Sequence, residues 1–212
     1  MALTLHSYWR SSASYRVRIA LNLKGLDYAQ VTHDLRTGAH EASAYAALNP
    51  QQMVPALETD GGVIAQSLAI LEWLEERYPE PSLLPGSAQD RAVVRAMAAT
   101  IACDIHPLNN LRILKSLRQD LNATPEQINA WAQRWIRQGF AALEAMIARH
   151  DGTYAFGDTP TLADCCLVPQ VYSAERFETD LTPYPRLMAA VRAAQGLPAV
   201  AAAHPTEQPD AD

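Results

Sequence analysis

The spacing of apolar residues changes period several times over the first eighty positions and then settles. Alternation from Leu3 to Trp9 predicts a strand. Ser14 to Lys24 predicts a helix that sets Val17, Ala20, Leu21 and the stem of Lys24 on one face, with Gly25 ending it. A second strand is expected at "DYAQVTHDL", a short alanine-rich helix from His40 to Leu48, and two short strands at "VPALE" and "GVIAQ". A helix follows from Ser67 to Tyr78, with Leu68, Leu71, Trp73, Leu74 and Tyr78 at its apolar positions. The order is β-α-β-α-β-β-α.

"PEPSLLPGS", Pro79 to Ser87, then carries three prolines and a glycine, the composition of a connection. Beyond it the period is 3.6 throughout, over Ala88 to Leu121, Pro125 to Arg149, Thr161 to Ser173 and Pro185 to Gln195. Pro107 should interrupt the first of these helices. Thr161 and Asp164 have the spacing of a capping box, which points to folding rather than chemistry. The closing "HPTEQPDAD" is polar and proline-bearing and is expected to be loose. The pattern thus places an α/β domain at 1–80, a linker at 81–87 and an all-α domain at 88–212.

With 49% hydrophobic residues the chain can bury a substantial core. A net charge of -6 excludes a general attraction to nucleic acid or anionic membrane, so an anionic ligand must be held by a local cluster. The start "MALTLHSYWR" lacks the apolar run of a signal peptide, and no stretch approaches the roughly 18 apolar residues of a membrane span, so a cytoplasmic location is expected. Cys103, Cys165 and Cys166 have neither CxxC nor metal-ligand spacing and read as buried thiols; no metal site is expected. Of the 17 basic residues only Lys24 and Lys115 are lysines, and the rest are arginines, whose planar forks suit carboxylates.

The element order and five separated motifs, "SSASYRVRIALNLKG", "ALNPQQMVPAL", "IAQSLAILEWLEERYP", "LVPQVYSAERF" and "DLTPYP", resemble the soluble glutathione transferases, and more closely their zeta class. The resemblance extends over nearly the whole chain. It implies a thioredoxin-like N-terminal domain joined to a helical C-terminal domain. It also implies glutathione as cofactor and a homodimer in which the first domain of one subunit faces the helical domain of the other.

In that light the turn Ser11-Ser12-Ala13-Ser14 replaces the CxxC of disulfide oxidoreductases with residues lacking sulfur, which excludes dithiol redox chemistry there. A serine at a helix N-terminus can cap backbone N–H groups, or donate its proton to a thiolate that the helix dipole already favours. A depression of the glutathione thiol pKa by ~2 units corresponds to roughly 2.7 kcal/mol. The resemblance assigns this role to Ser11, with Ser12 second and Arg10 beside them. Ala13 stands where zeta members often carry cysteine, so glutathione itself must supply the nucleophile. Val54-Pro55 is expected to be cis and to pair with the cysteinyl backbone of glutathione. Gln66 and Ser67 are expected to grip the γ-glutamyl carboxylate, with composition placing Ser67 as N-cap. His40 and Gln52 are candidates for the glycyl carboxylate. The run "CDIHPLNNLRIL" offers Asp104 and His106 as further glutathione contacts near the subunit interface. Arg10, Asn110, Arg112 and, from "SAERF", Arg176 are candidates for the substrate; Leu111 replaces the first arginine of the family's pair.

The implied activity is glutathione-dependent cis-trans isomerisation of a maleyl diketo acid, maleylpyruvate or maleylacetoacetate, in the breakdown of aromatic compounds. Two alternatives stand beside it. One is a general glutathione transferase or reductive dehalogenase acting on small electrophiles, and the other is a glutathione-binding protein that has lost activity.

Overall fold

In the computed structural model, which describes residues 2–212, four strands form one sheet. They are β1 (Leu3–Ser7), β2 (Tyr28–Thr32), β3 (Ala56–Thr59) and β4 (Gly62–Ala65), in the spatial order β2-β1-β3-β4. The β1–β2 pair is parallel and the other two pairs are antiparallel. The parallel connection is made by helix α1 (Ser12–Leu23), and α3 (Ser67–Arg77) packs beside α1. Leu5, Val17, Leu21, Leu57, Ile70, Leu71 and Leu74 form the shared core of sheet and helices. The expected β-α-β-α-β-β-α order is present, with α2 (Ser43–Leu48) preceded by a separate 3-10 turn at Ala39–Glu41. The single helix expected from His40 to Leu48 is therefore two pieces.

Gly25 stops α1 as expected. It takes φ +64 beyond the Lys24 C-cap, and the amides of Leu26 and Gly25 return to the carbonyls of Leu21 and Asn22, closing the helix end.

By its contacts the chain forms two units, one running to Leu83 and including Gln195–Asp212, the other Leu84–Ala194. Part of the expected linker thus belongs to the first unit. The buried Lys24 ammonium explains why, donating to the Glu75 carboxylate at 2.8 Å and to the carbonyls of Tyr78 and Pro81. Burial pushes the Glu75 carboxyl up, but hydrogen bonds from Lys24, Ser82 and Leu83 outweigh it and hold the group below its ordinary range. Residues 195–212 likewise leave the helical half to which the sequence pattern assigns them. They add α9 (Pro198–Ala202) and a 3-10 turn (Pro205–Glu207), and the stretch expected to be loose is hydrogen-bonded into the first unit.

The second unit is helical: α4 (Ala88–Ala99), α5 (Leu111–Gln119), α6 (Pro125–Ile147), α7 (Leu162–Arg176) and all but the last residue of α8 (Pro185–Gln195). The long helix expected over 88–121 is broken more deeply than Pro107 alone demands. It widens into a π-helical stretch at Thr100–Ile105, then tightens into a 3-10 turn at His106–Asn109. Helix α6 crosses this break at Gly139, where an added Cβ would lie 2.2 Å from Ile105 Cδ1. Cys165 and Cys166 are buried as expected, whereas Cys103, on the π-helical stretch, is exposed.

The capping box of α7 is formed. Thr161 Oγ1 accepts from the Ala163 amide, and Asp164 accepts from the Thr161 amide and hydroxyl. Asp164 also accepts from the Ala155 amide at 2.9 Å, tying the preceding loop to the helix start. Thr161→Val, which keeps the shape and removes the hydroxyl, should cost about 1 to 2 kcal/mol. In thermal unfolding the midpoint should fall by several degrees while activity per folded molecule is unchanged.

Candidate active site

Strand register gathers the candidate residues of the first unit. Ser7 pairs with Thr32 at the end of β2, His6 with Ala56 at the start of β3, and Ala56 with Ala65 at the end of β4. The segments after β1, after β2, before β3 and after β4 therefore leave the sheet at the same end. They carry, in turn, Arg10 to Ser12, His40, Gln52 to Pro55, and Gln66 to Ser67.

Ser11 is the N-cap of α1, with extended backbone and a side chain that accepts from the Ser14 amide at 3.2 Å. A hydroxyl has one proton and two acceptor positions, so capping leaves the Ser11 proton free to donate. The two roles available to this residue are compatible rather than competing. Ser12 is buried in the first turn, and Arg10 is half-buried with its guanidinium 5.7 Å from the centre of the Trp9 ring. Beneath the turn lies Arg18, fully buried, donating to the Ser7 hydroxyl and to the Trp9 carbonyl at 2.9 Å. Burial pushes the Tyr8 phenol above its ordinary range, against the pull of the Arg36 and Arg10 charges.

The Val54-Pro55 bond is cis, as expected. The segment before it is fixed by Tyr45 and Asn49, which both donate to the Met53 carbonyl at 2.7 Å. Gln52 has φ +54 and Gln66 φ +74, so two of the four non-glycine residues with left-handed φ among the described residues are candidate ligand contacts. Such backbone costs on the order of 1–3 kcal/mol each and concentrates at ligand clamps.

Ser67 is not the N-cap. That position is Gln66, and Ser67 is the first residue of α3, its hydroxyl accepting from the buried Arg16 guanidinium at 3.1 Å. The conformation of Gln66 turns the chain so that its own side chain makes no cap bond and donates instead to Gln51. The helix start thus combines exposed backbone dipoles with a buried cation linked to its first hydroxyl, an arrangement that favours an anion.

His40 sits on the 3-10 turn, its Nε2 3.6 Å from Glu41 and its Nδ1 without a hydrogen-bond partner among the described residues. Near the base of the same segment the buried His6 donates to Glu58 at 2.6 Å and joins His33 at 2.8 Å. Burial, reinforced by His6, lowers the pKa of His33.

The remaining candidates lie in the second unit. Asp104 is exposed on the π-helical stretch, His106 opens the 3-10 turn, and Asn110 is the N-cap of α5, accepting from the Arg112 amide. Three kinds of backbone thus replace the shared helix face that their spacing suggests. Asn110 Nδ2 lies 3.4 Å from His106 Nε2. Arg112 is exposed, and Arg176 closes α7 with its guanidinium 6.0 Å from the Tyr172 ring centre.

Sequence reasoning missed Arg16 and Arg18. Every α1 position from Ser14 to Leu21 is buried, so the helix has no solvated face on which charges would ordinarily sit. Two arginines in such a run are the available signal, because buried guanidinium groups must find acceptors.

Family models match the chain in two places: "Glutathione S-transferase, N-terminal domain" over residues 5–82 and "Glutathione S-transferase, C-terminal domain" over 125–193. Maleylpyruvate isomerase of a Ralstonia species is 54% identical over 210 residues, spanning 98% of this chain and 99% of that one. The holo structure of a maleylpyruvate isomerase, a bacterial zeta-class glutathione S-transferase, superposes with a TM-score of 0.96 at 53% identity over all of both chains. Maleylacetoacetate isomerase of Anaeromyxobacter dehalogenans, with dicarboxyethyl glutathione and citrate in its active site, gives 0.89 at 46% identity, covering 100% of this chain and 98% of that one.

Proposed function

Since the chain belongs to the glutathione S-transferase family, in its zeta class, we propose that it isomerises a maleyl diketo acid to the fumaryl isomer with glutathione as the nucleophile. The observation that carries this reading is the common exit, at one end of the sheet, of four segments. They bear the capping Ser11, His40, the cis Val54-Pro55 bond, and Gln66-Ser67 backed by Arg16.

A C=C bond does not rotate thermally and must be made single for a time. The glutathione thiolate adds to one alkene carbon, forming a C–S bond, and the π pair moves through the conjugated system to the keto oxygen as an enolate. Rotation about the resulting single bond follows. The enolate then collapses, the C–S bond breaks with its pair returning to sulfur, and the trans double bond forms. Glutathione is regenerated.

Each residue has a task in this scheme. Ser11 donates its proton to the sulfur, with Ser12 and the helix dipole in support. The Val54 backbone pairs with the cysteinyl unit, and Gln66, Ser67 and the first amides of α3 hold the γ-glutamyl carboxylate. His40 and Gln52 serve the glycyl end. Asp104 and His106 add glutathione contacts, and Arg10, Asn110, Arg112 and Arg176 bind the substrate carboxylates. The protein acts as a cytoplasmic homodimer in aromatic breakdown; among the described residues no helix is long and apolar enough to cross a membrane.

The test is loss of maleylpyruvate and of maleylacetoacetate, each separated by chromatography from its fumaryl isomer, with and without glutathione. Glutathione-dependent loss with either supports the reading, and the faster substrate is the physiological candidate. No loss with either, together with conjugation of chlorodinitrobenzene, would move the general-transferase reading ahead. A monomer of about 23 kDa in equilibrium sedimentation would refute the homodimer.

A further inference from the structure

The segment that follows α9 lies against the turn that leads into Ser11. Gln208 is buried, its amide donating to the carbonyls of Ala202 at 3.0 Å and His204 at 2.8 Å while its oxygen accepts from Gln30 on β2. Two residues on, Asp210 Oδ2 accepts from the Trp9 backbone amide at 3.0 Å. Ala211 packs against the cluster of Tyr8, Trp9, Tyr45, Val54 and Ala56, which joins the thiol turn to the segment around the cis bond. Asp212 pairs with Arg36, whose guanidinium also forks onto Asp34 and lies 5.9 Å from the Tyr8 ring centre.

These contacts complete a set. β1 ends at Ser7, so the Trp9 amide has no ladder partner, and Asp210 supplies one. The Trp9 carbonyl is taken by Arg18, and the Tyr8 carbonyl by the Ser11 amide at 3.0 Å. Trp9 is 7% exposed, so water cannot readily substitute for a lost partner.

We propose that residues 208–212 are a strap that sets the position of the thiol-activating turn, and that Asp210 is a positioning residue for catalysis. The proposal rests on the reading of Ser11 as the donor to glutathione sulfur. It acts through geometry: the Ser11 hydroxyl polarises sulfur only within hydrogen-bond reach, and displacement of a group by as little as ~1 Å is strongly felt. Asp210 touches neither sulfur nor substrate in this account.

Asp210→Ala removes the acceptor, and Asp210→Asn keeps an acceptor oxygen while removing the charge. In the alanine variant the Trp9 amide should exchange its hydrogen about tenfold faster, the pKa of bound glutathione should rise by about one unit, and kcat at neutral pH should fall about tenfold. The glutathione KM should change little, and Asp210→Asn should restore all three properties to within about twofold. Unchanged exchange at Trp9 would overturn the strap whatever the thiol does. Faster exchange with an unmoved thiol pKa would overturn its catalytic role, and an asparagine variant as impaired as alanine would assign the effect to charge and refute the hydrogen-bond account. Failure of the Ser11 reading is seen separately, as a thiol pKa that Ser11→Ala does not move.

Discussion

Replacing Ser11 by alanine should raise the pKa of bound glutathione by about 1 to 2 units and cut turnover at neutral pH by roughly 10 to 100-fold, the effect of one hydrogen bond to a charged acceptor. Glutathione affinity should change little, because the hydroxyl bonds sulfur rather than the peptide frame. The sign follows from titration. Above its pKa the bound thiol is thiolate, so the variant's rate should still rise with pH where the wild type has levelled, and the deficit should shrink in alkali. Ser11 is also the N-cap of α1, so loss of the cap must be separated from loss of the donor. Ser11→Gly separates them, since glycine at an N-cap costs only a few tenths of a kcal/mol. It should melt close to wild type yet show the same displaced thiol titration, read from thiolate absorbance. A thiolate titration unmoved in both variants would sink the assignment, and Ser12 would be next.

The second large effect is expected at the arginines. Charge-assisted bonds to a carboxylate are worth ~1.5 to 3 kcal/mol each, so Arg176→Met or Arg10→Met should lower isomerase kcat/KM by about 10 to 100-fold. The chain carries a net charge of -6 and otherwise repels a dianion, which makes each fork matter. Conjugation of neutral chlorodinitrobenzene should stay nearly intact. Equal losses on both substrates would mean that the arginines support the fold, and the dicarboxylate reading would weaken. Neither guanidinium is buried: Arg10 is half-buried beside Trp9, and Arg176 is exposed beside Tyr172. A large common loss is therefore not expected from packing alone.

The period changes along the chain told the order of elements because each strand and helix buries one face, and burial is written in local spacing. Long-range partners are not written there. "HPTEQPDAD" looks like solvent-exposed chain because its polar groups find their acceptors and donors some 180 to 200 positions away, at Gln30 and Trp9. Ser67 looks like a cap because serine usually is one. The backbone of Gln66, φ +74 and ψ 118, which no local propensity favours, moves that position one residue earlier. Arg16 and Arg18 look like a solvated stripe until the sheet and residues 195–212 enclose their helix. Among the candidate ligand residues, Ser11, Pro55 and Ser67 were legible as motifs, whereas the partners that hold them in place were not.

For laboratory evolution, the close crossing of α6 over the broken helix offers a remote dial. Any side chain at Gly139 must push on Ile105, the residue between Asp104 and His106. A single added methyl would press on the Ile105 side chain, next to that pair in the chain, with no alteration to either of them. Libraries that sample position 139 therefore vary the packing of Ile105 while leaving the groups of Asp104 and His106 in place.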